Sequence, residues 1–219
     1  MRKFVLIQLL SFLFICFFCI SDVMAISLGF TPFTSFSSGD LDWKMDHDNS
    51  GDIWGGGAYT EEFDDDSRHQ GIEFVLDTAV ARNTVFNYRL NLGYEKFESK
   101  HMDLEMNSIT VDNTFGFAVL RTKVVRLWIG PQLHFSYSQD DNENIDIDLF
   151  GFGFAPVIGV NLNFSDLVTP AFTVGYRVTK YEGTRNDSFW YGGDEYDINI
   201  DEKSFFFNFS ILFRINDMF

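Results

Sequence analysis

Between residues 85 and 98 apolar and polar positions alternate without a break. Phe86, Tyr88, Leu90, Leu92 and Tyr94 share one face, and Asn87, Arg89, Asn91, Gly93 and Glu95 share the other. A period of two marks a β-strand whose faces meet different surroundings. The alternation returns over residues 108–121, 124–138, 148–162, 167–182 and 204–219, and less regularly over 70–80. An eighth segment, 53–63, is interrupted by Gly55, Gly56 and Gly57, residues that mark a bend or a close backbone approach within a strand. Residues 26–52 read as an N-terminal extension, irregular around Pro32 and ending in the acidic stretch 46–52; only Ile26, Leu28 and Phe30 at its start hint at a further strand.

The connections alternate in length. Residues 81–84, 122–123 and 163–166 are tight, whereas 64–69, 99–107, 139–147 and 183–201 are longer and more polar. That asymmetry belongs to membrane barrels, with short turns on the periplasmic side and long loops outside. Alternation alone does not separate a membrane barrel from a soluble sandwich, so the make-up of the polar rows decides. They hold Gly, Ala, Asn and Thr with isolated charges, while Lys96, Lys100, Lys123, Lys180 and Lys203 sit near strand ends. Small residues suit the interior of an eight-stranded barrel, and bulky Phe, Leu and Val suit lipid. The expected fold is all-β: an eight-stranded antiparallel up-and-down transmembrane β-barrel over residues 53–219, with 26–52 as a periplasmic extension. Tyr88, Trp128, Tyr137, Tyr176 and Tyr181, near strand ends, are expected to form its interfacial girdles.

The amino terminus adds an address. Arg2 and Lys3 precede an apolar run over residues 4–20, and Val23-Met24-Ala25 places small residues at the positions a signal peptidase reads. Residues 1–25 are expected to be removed after Ala25, for export to the outer membrane. Both cysteines, Cys16 and Cys19, would leave with the leader, so no disulfide is expected. The formal charge of −16 becomes −17 once Arg2, Lys3 and Asp22 are gone, which excludes nucleic acid as a partner.

In residues 204–219, Phe205, Phe207, Phe209, Ile211, Phe213, Ile215 and Phe219 form one row opposite Asn208, Ser210, Arg214 and Asn216. An alternating strand ending in Phe219 resembles the closing strand of bacterial outer-membrane barrels. The whole pattern from Ile53 onward resembles the small eight-stranded barrels of the OmpX and OmpA type. The resemblance implies outer-membrane lipid and lipopolysaccharide as surroundings, and recognition of Phe219 by the barrel-assembly machinery. It carries function weakly, since one fold hosts many activities.

Three constellations carry candidate chemistry. Glu73, Asp77, Glu95 and Asp112 share the inward rows with Arg89, Arg126, Arg177 and Arg214, as expected of an ion-pair network that satisfies charges away from water; exchange between its partners would instead gate a narrow conductance. His134 and Ser136 lie two apart on one face and locally resemble the His-x-Ser pair of an outer-membrane lipid A deacylase family. Tyr137-Ser138 replaces that family's flanking residues, and the phase points both side chains into the lumen. His47, His69 and His101 read as solvated loop residues. Third, Asp46, Asp48, Ser50 and Asp52, with Gly51 and Ile53, reproduce the first two-thirds of an EF-hand-type calcium loop, although Gly57 stands where the final glutamate belongs. Acidic residues of the long loops, Asp64 to Asp66, Asp140, Asp141 and Asp194 among them, would form a collar needing calcium or magnesium beside lipid phosphate. No other cofactor is expected. The favoured reading is a non-enzymatic barrel working through its surface, with the channel and the lipid A enzyme as alternatives.

Overall fold

The computed structural model describes residues 26–36, 41–47, 59–78, 85–99, 104–142, 145–187 and 194–215. Ten strand segments run in order: β1 (Ser27–Phe36), β2 (Leu41–His47), β3 (Tyr59–Asp65), β4 (Ser67–Asp77), β5 (Phe86–Ser99), β6 (Leu104–Arg121), β7 (Val125–Asn142), β8 (Ile145–Leu162), β9 (Val168–Asp187) and β10 (Asp194–Arg214). From β4 to β10 each strand is antiparallel to the next, and β1 lies between β4 and β10 and closes the ring. Higher up the same edge of β10, β2 replaces β1 and pairs in turn with β3. So β1 with β2, and β3 with β4, each occupy one position, and the wall has eight positions. A closed wall satisfies the backbone without a free edge, which hydrocarbon demands of any spanning sheet.

The first two positions differ from the expectation. Residues 27–36 and 41–47 form wall, not a periplasmic extension, and 59–65 belongs to the second position. The alternation of Ile26, Leu28 and Phe30 was the visible trace of β1, blurred because Pro32 and the Ser/Thr positions weaken its contrast. The correction also moves the start of the acidic stretch, Asp46 and His47. His47 pairs with both Tyr59 and Tyr196, at the end of the barrel where β9 meets β10 at Asp187 and Asp194. That is the end of the long connections, opposite the tight turns.

Inside and outside follow the period-two rows. Among the outward residues, Phe30, Phe74, Leu92, Ile109, Phe117, Ile129, Phe154, Ile158, Phe207 and Ile211 are 37–62% exposed and form a continuous apolar belt. Along β8 the belt runs from Phe150 to Leu162. About 13 residues at ~3.3 Å rise, tilted ~40°, span roughly 30 Å, the thickness of a bilayer core. The belt stops sharply. Above Ile72, Tyr94, Ile109, Tyr137, Phe150, Val178 and Phe205 the outward positions become Gln70 and Arg68, Lys96, Asn107, Gln139, Asp148, Lys180 and Lys203.

At that height the interior changes too, in the opposite sense. Phe97, Met106, Ile147, Leu149, Tyr181, Ile198 and Ile200 form a buried apolar cluster inside the upper section. The lower section is apolar without and holds arginines and carboxylates within, beside Phe33, Trp128, Val157 and Phe206; the upper is polar and charged without and holds this apolar cluster within, beside the buried Ser67, His69 and Glu202. The strands therefore run well past the expected loop starts, β6 from Leu104, β7 to Asn142, β8 from Ile145 and β10 from Asp194.

Pro131 faces Pro156 across β7 and β8, and neither carries a backbone N–H to donate. The β8–β9 register correspondingly skips from Phe154↔Val178 to Val157↔Gly175.

Candidate functional site

All eight charged residues expected inside are buried there: Glu73, Asp77, Arg89, Glu95, Asp112, Arg126, Arg177 and Arg214. They do not form one network of acid–base pairs. Lowest is Asp77, which accepts from both Nε and Nη2 of Arg89. The guanidinium also donates to Thr173 and Asn161, and it lies 5.1 Å from the centroid of Trp128, whose Nε1 donates to Asn161. A forked, stacked arginine is the form in which a buried pair retains most of its Coulombic gain. Gly159 makes this packing possible, since a Cβ there would run into the Trp128 indole. Arg126 lies within electrostatic reach of Asp77, and Arg214 donates to Asn163 and Thr169 at the tight-turn end.

Higher, Asp112 Oδ1 lies 2.7 Å from His134 Nδ1 and 4.0 Å from Arg177 Nη1, and Nη1 lies 2.8 Å from the same Nδ1. One ring nitrogen donates to Asp112 or accepts from Arg177 according to tautomer, so the three groups share one proton arrangement. Phe33 and Phe206, themselves in contact with ring centroids 6.5 Å apart, both meet the Arg177 guanidinium, at 5.7 and 5.6 Å. Gly175 leaves the space that the Phe206 ring fills. Glu73 instead accepts from the amides of Asn91 and Asn208, at 2.5 and 3.4 Å.

Glu95 belongs to a third cluster, which the expectation had not assembled. His69 is buried rather than solvated, with Nδ1 3.1 Å from Glu95 and Nε2 2.8 Å from Glu202. Carboxylates on both ring nitrogens require both to carry protons, which makes the ring an imidazolium. Glu202 also accepts from Ser67 and from the Tyr181 hydroxyl at 3.0 Å, and the edge of Phe97 meets the His69 ring. His69 and Glu202 lie above the belt, in the section standing clear of the bilayer core. Burial alone would lower the imidazole pKa, but Glu202 and Glu95 outweigh it and hold the value up at about 10. Burial would raise the Glu202 carboxyl; His69, Arg177 and Ser67 hold it down at about 2.

The period-two rows contained this cluster: stepping by two from Glu73 reaches His69 and Ser67, and from Arg214 reaches Glu202. Trp128 and Tyr181 likewise turn inward instead of joining the girdle, while Tyr137 and Tyr176 stand outside. His47 is a strand residue of β2; His101 lies outside the described residues.

His134 and Ser136 both point inward and are buried, as their phase required. Of the calcium-loop residues Asp46 lies in β2, opposite Thr60 and Asp197, so it extends a sheet instead of opening a loop. Asp48, Ser50 and Asp52 fall outside the described residues, as does Phe219. Among the described residues no three His, Asp, Glu or Cys side chains converge as a metal site.

No protein family matches the sequence, and no curated protein matches it. Among solved structures, the outer membrane protein OprG from Pseudomonas aeruginosa is similar over 89% of this chain and 99% of its own, with a TM-score of 0.63 at 9% identity. The fold is that of a small eight-stranded outer-membrane β-barrel. Two further likenesses are looser. Outer membrane protein AlkL in lipid bilayers gives a TM-score of 0.47 at 12% identity, covering 85% of this chain and 90% of its own. Neisserial surface protein A gives 0.35 at 11%, covering 81% and 95%. In such a barrel the belt faces lipid, and the three polar clusters stack along the axis of a narrow interior.

Proposed function

We propose that the chain is an integral outer-membrane protein that neither catalyses nor conducts, and that works through its protruding section and the lipid around it. The supporting observation is the packing of the interior at belt height, where Arg89 on Trp128, and Arg177 against the paired rings of Phe33 and Phe206, set side chains across the lumen. In planar bilayers the refolded barrel is expected to leave the baseline current unchanged. Resolved single-channel steps that vanish in Arg177→Ala would overturn the reading in favour of a narrow channel.

Catalysis on lipid is disfavoured by geometry. Acyl chains lie against the outside of the belt, whereas His134 and Ser136 open into the interior, and Nδ1 of His134 already meets Asp112 and Arg177. The mass spectrum of lipid A from cells with and without the protein is expected to be the same; a deacylated species that disappears in His134→Ala would establish the enzyme.

The same reading takes the leader to be removed after Ala25, which the intact mass of the protein from outer membranes checks. It takes Phe219 to be read by the assembly machinery, so that its deletion lowers the amount of barrel in that membrane. Partners at the outer surface are lipid and lipopolysaccharide, with calcium or magnesium between their phosphates and the acidic rim. Calorimetry with calcium on the refolded barrel, compared with Asp46→Ala and Asp48→Ala, tests the cation.

A further inference from the structure

The ring of outward residues directly above the belt is not uniform. Across five neighbouring wall positions, β9, β10, β4 and β5 carry Lys180, Lys203, Arg68 and Lys96, and β1 between β10 and β4 carries Phe36; the belt residues below them are Val178, Phe205 and Tyr94. The other three, β6, β7 and β8, carry neither lysine nor arginine at that height, over residues 104–110, 138–142 and 145–149. We propose that the cationic arc is a docking surface for the phosphate groups of outer-leaflet lipid, and that the barrel holds such lipid on one side only. This rests on the reading that the chain resides in the outer membrane with its long-stranded end outward.

Two features favour phosphate in a membrane over any other anion. The first is depth: the cations are the first polar side chains above the hydrocarbon edge, where lipid headgroups lie. Arg68 is held there by its stack on Phe36, 5.6 Å from the ring centroid, and among the described residues no carboxylate comes within ion-pair distance of it. Nε and Nη2 of Arg68 donate to the neutral side-chain oxygen of Gln70, so the guanidinium keeps its full charge for phosphate oxygens. The second is the company the lysines keep. Lys96 meets Glu98 and Glu105 at 3.3 and 2.6 Å, and Lys180 meets Glu182 at 3.0 Å, all on exposed side chains. Exposed pairs of this kind contribute little and are readily exchanged. Yet their carboxylates, with Asp201 nearby, repel dilute free phosphate. Only a phosphate anchored in the adjoining leaflet, at high local concentration, competes well.

The test uses the full barrel refolded into phosphatidylcholine nanodiscs that contain either diphosphoryl lipid A or the same lipid with its phosphates removed. Lipid retained by the protein is counted by native mass spectrometry. Diphosphoryl lipid A is expected to be retained and the dephosphorylated form not. The double variant Arg68→Glu, Lys203→Glu is expected to retain about tenfold less, whereas Asn107→Glu with Gln139→Glu on the opposite arc stays within about twofold of the parent. Heat-modifiable mobility establishes that each variant has folded. Equal retention of the two lipids, or equal loss from either arc, overturns the proposal. So does displacement by millimolar inorganic phosphate, which would make the site one for the free ion. Flotation with vesicles separates the two readings: a chain that inserts yet shows no phosphate preference sinks the arc alone, and a chain that does not insert sinks both.

Discussion

The lower and upper sections of this barrel share six continuous strands, β5 to β10, and differ in the face on which large apolar side chains gather, outward below and inward above. At belt height Phe150, Phe152 and Phe154 of β8 point outward, and Gly151, Gly153 and Ala155 point in. Two residues earlier Asp148 points outward and Leu149 inward. The parity of the strand never changes; the solvent does. In the lower section the apolar face needs no protein partner because lipid supplies one, and the interior polar groups must satisfy each other. In the upper section water solvates the outside, so the interior must supply the hydrophobic core itself. The height at which the rows exchange character thus marks the edge of the bilayer from the protein side.

Substitutions break or sharpen that comparison, and the largest effect is expected in the lower interior. Arg89→Met leaves Asp77 buried without its guanidinium and should cost about 3–5 kcal/mol in urea titrations of the refolded barrel. Adding Asp77→Asn should recover part of the loss, as for any coupled pair. A harmless Arg89→Met would mean that water reaches the lower interior. Next comes the upper core, where Leu149→Ala removes a fully buried side chain of the apolar cluster at about 2–5 kcal/mol. A cost under ~1 kcal/mol there would show a wet cavity in place of a packed core.

Outside, the same arginine should tell the two sections apart. Phe154→Arg, within the belt, is expected to cost about 2–4 kcal/mol in vesicles, and Asp148→Arg, just above it, to stay within about 0.5 kcal/mol of the parent. Equal costs would erase the boundary drawn here. The shallowest response is to pH. His69, with its pKa raised to about 10, contributes fully below its unfolded value of 6.5 and loses that contribution as pH rises toward 10. Glu202, lowered to about 2, contributes fully above 4.5 and loses its contribution as pH falls toward 2. Melting temperature should plateau between pH 4.5 and 6.5 and fall gradually on either side. His69→Gln should flatten the alkaline limb; an unchanged limb would place the titration elsewhere.

Seven of the eight wall positions could be read from alternation, and so could the inward side of Glu73, Asp77, Arg89, Glu95, Asp112, Arg126, Arg177 and Arg214. What hid the remainder was a single assumption, that one face stays apolar along a whole strand. Where Ile198 and Ile200 occupy the inner row and Phe205 and Phe207 the outer, a search for continuous rows sees a break and calls a loop. The His69 cluster was lost at those breaks, because Ser67, His69 and Glu202 all lie beyond the exchange. The first wall position was lost for a different reason: β1 alternates small and polar residues with only a few large ones, so its contrast is low even though its pairing with β4 runs unbroken from Ser27 to Phe36. Pairing of acid with arginine was foreseeable only in part. Glu73 is matched by amides and Glu95 by a histidine, choices that depend on neighbours across the wall and not on spacing along it.

Closure of the wall by β1 against β10 also sets an order of events. Thr31 shares a hydrogen bond with Ser210, 179 residues further along the chain. During export the first strand emerges long before its last neighbour exists, and until then one of its edges has nothing to bind. Each intermediate sheet is open on two sides and is prone to join another chain. The final strand is thus the clock of assembly: the barrel cannot begin to be a barrel until the chain is nearly all across, and the cell must keep the waiting segment unpaired for that long.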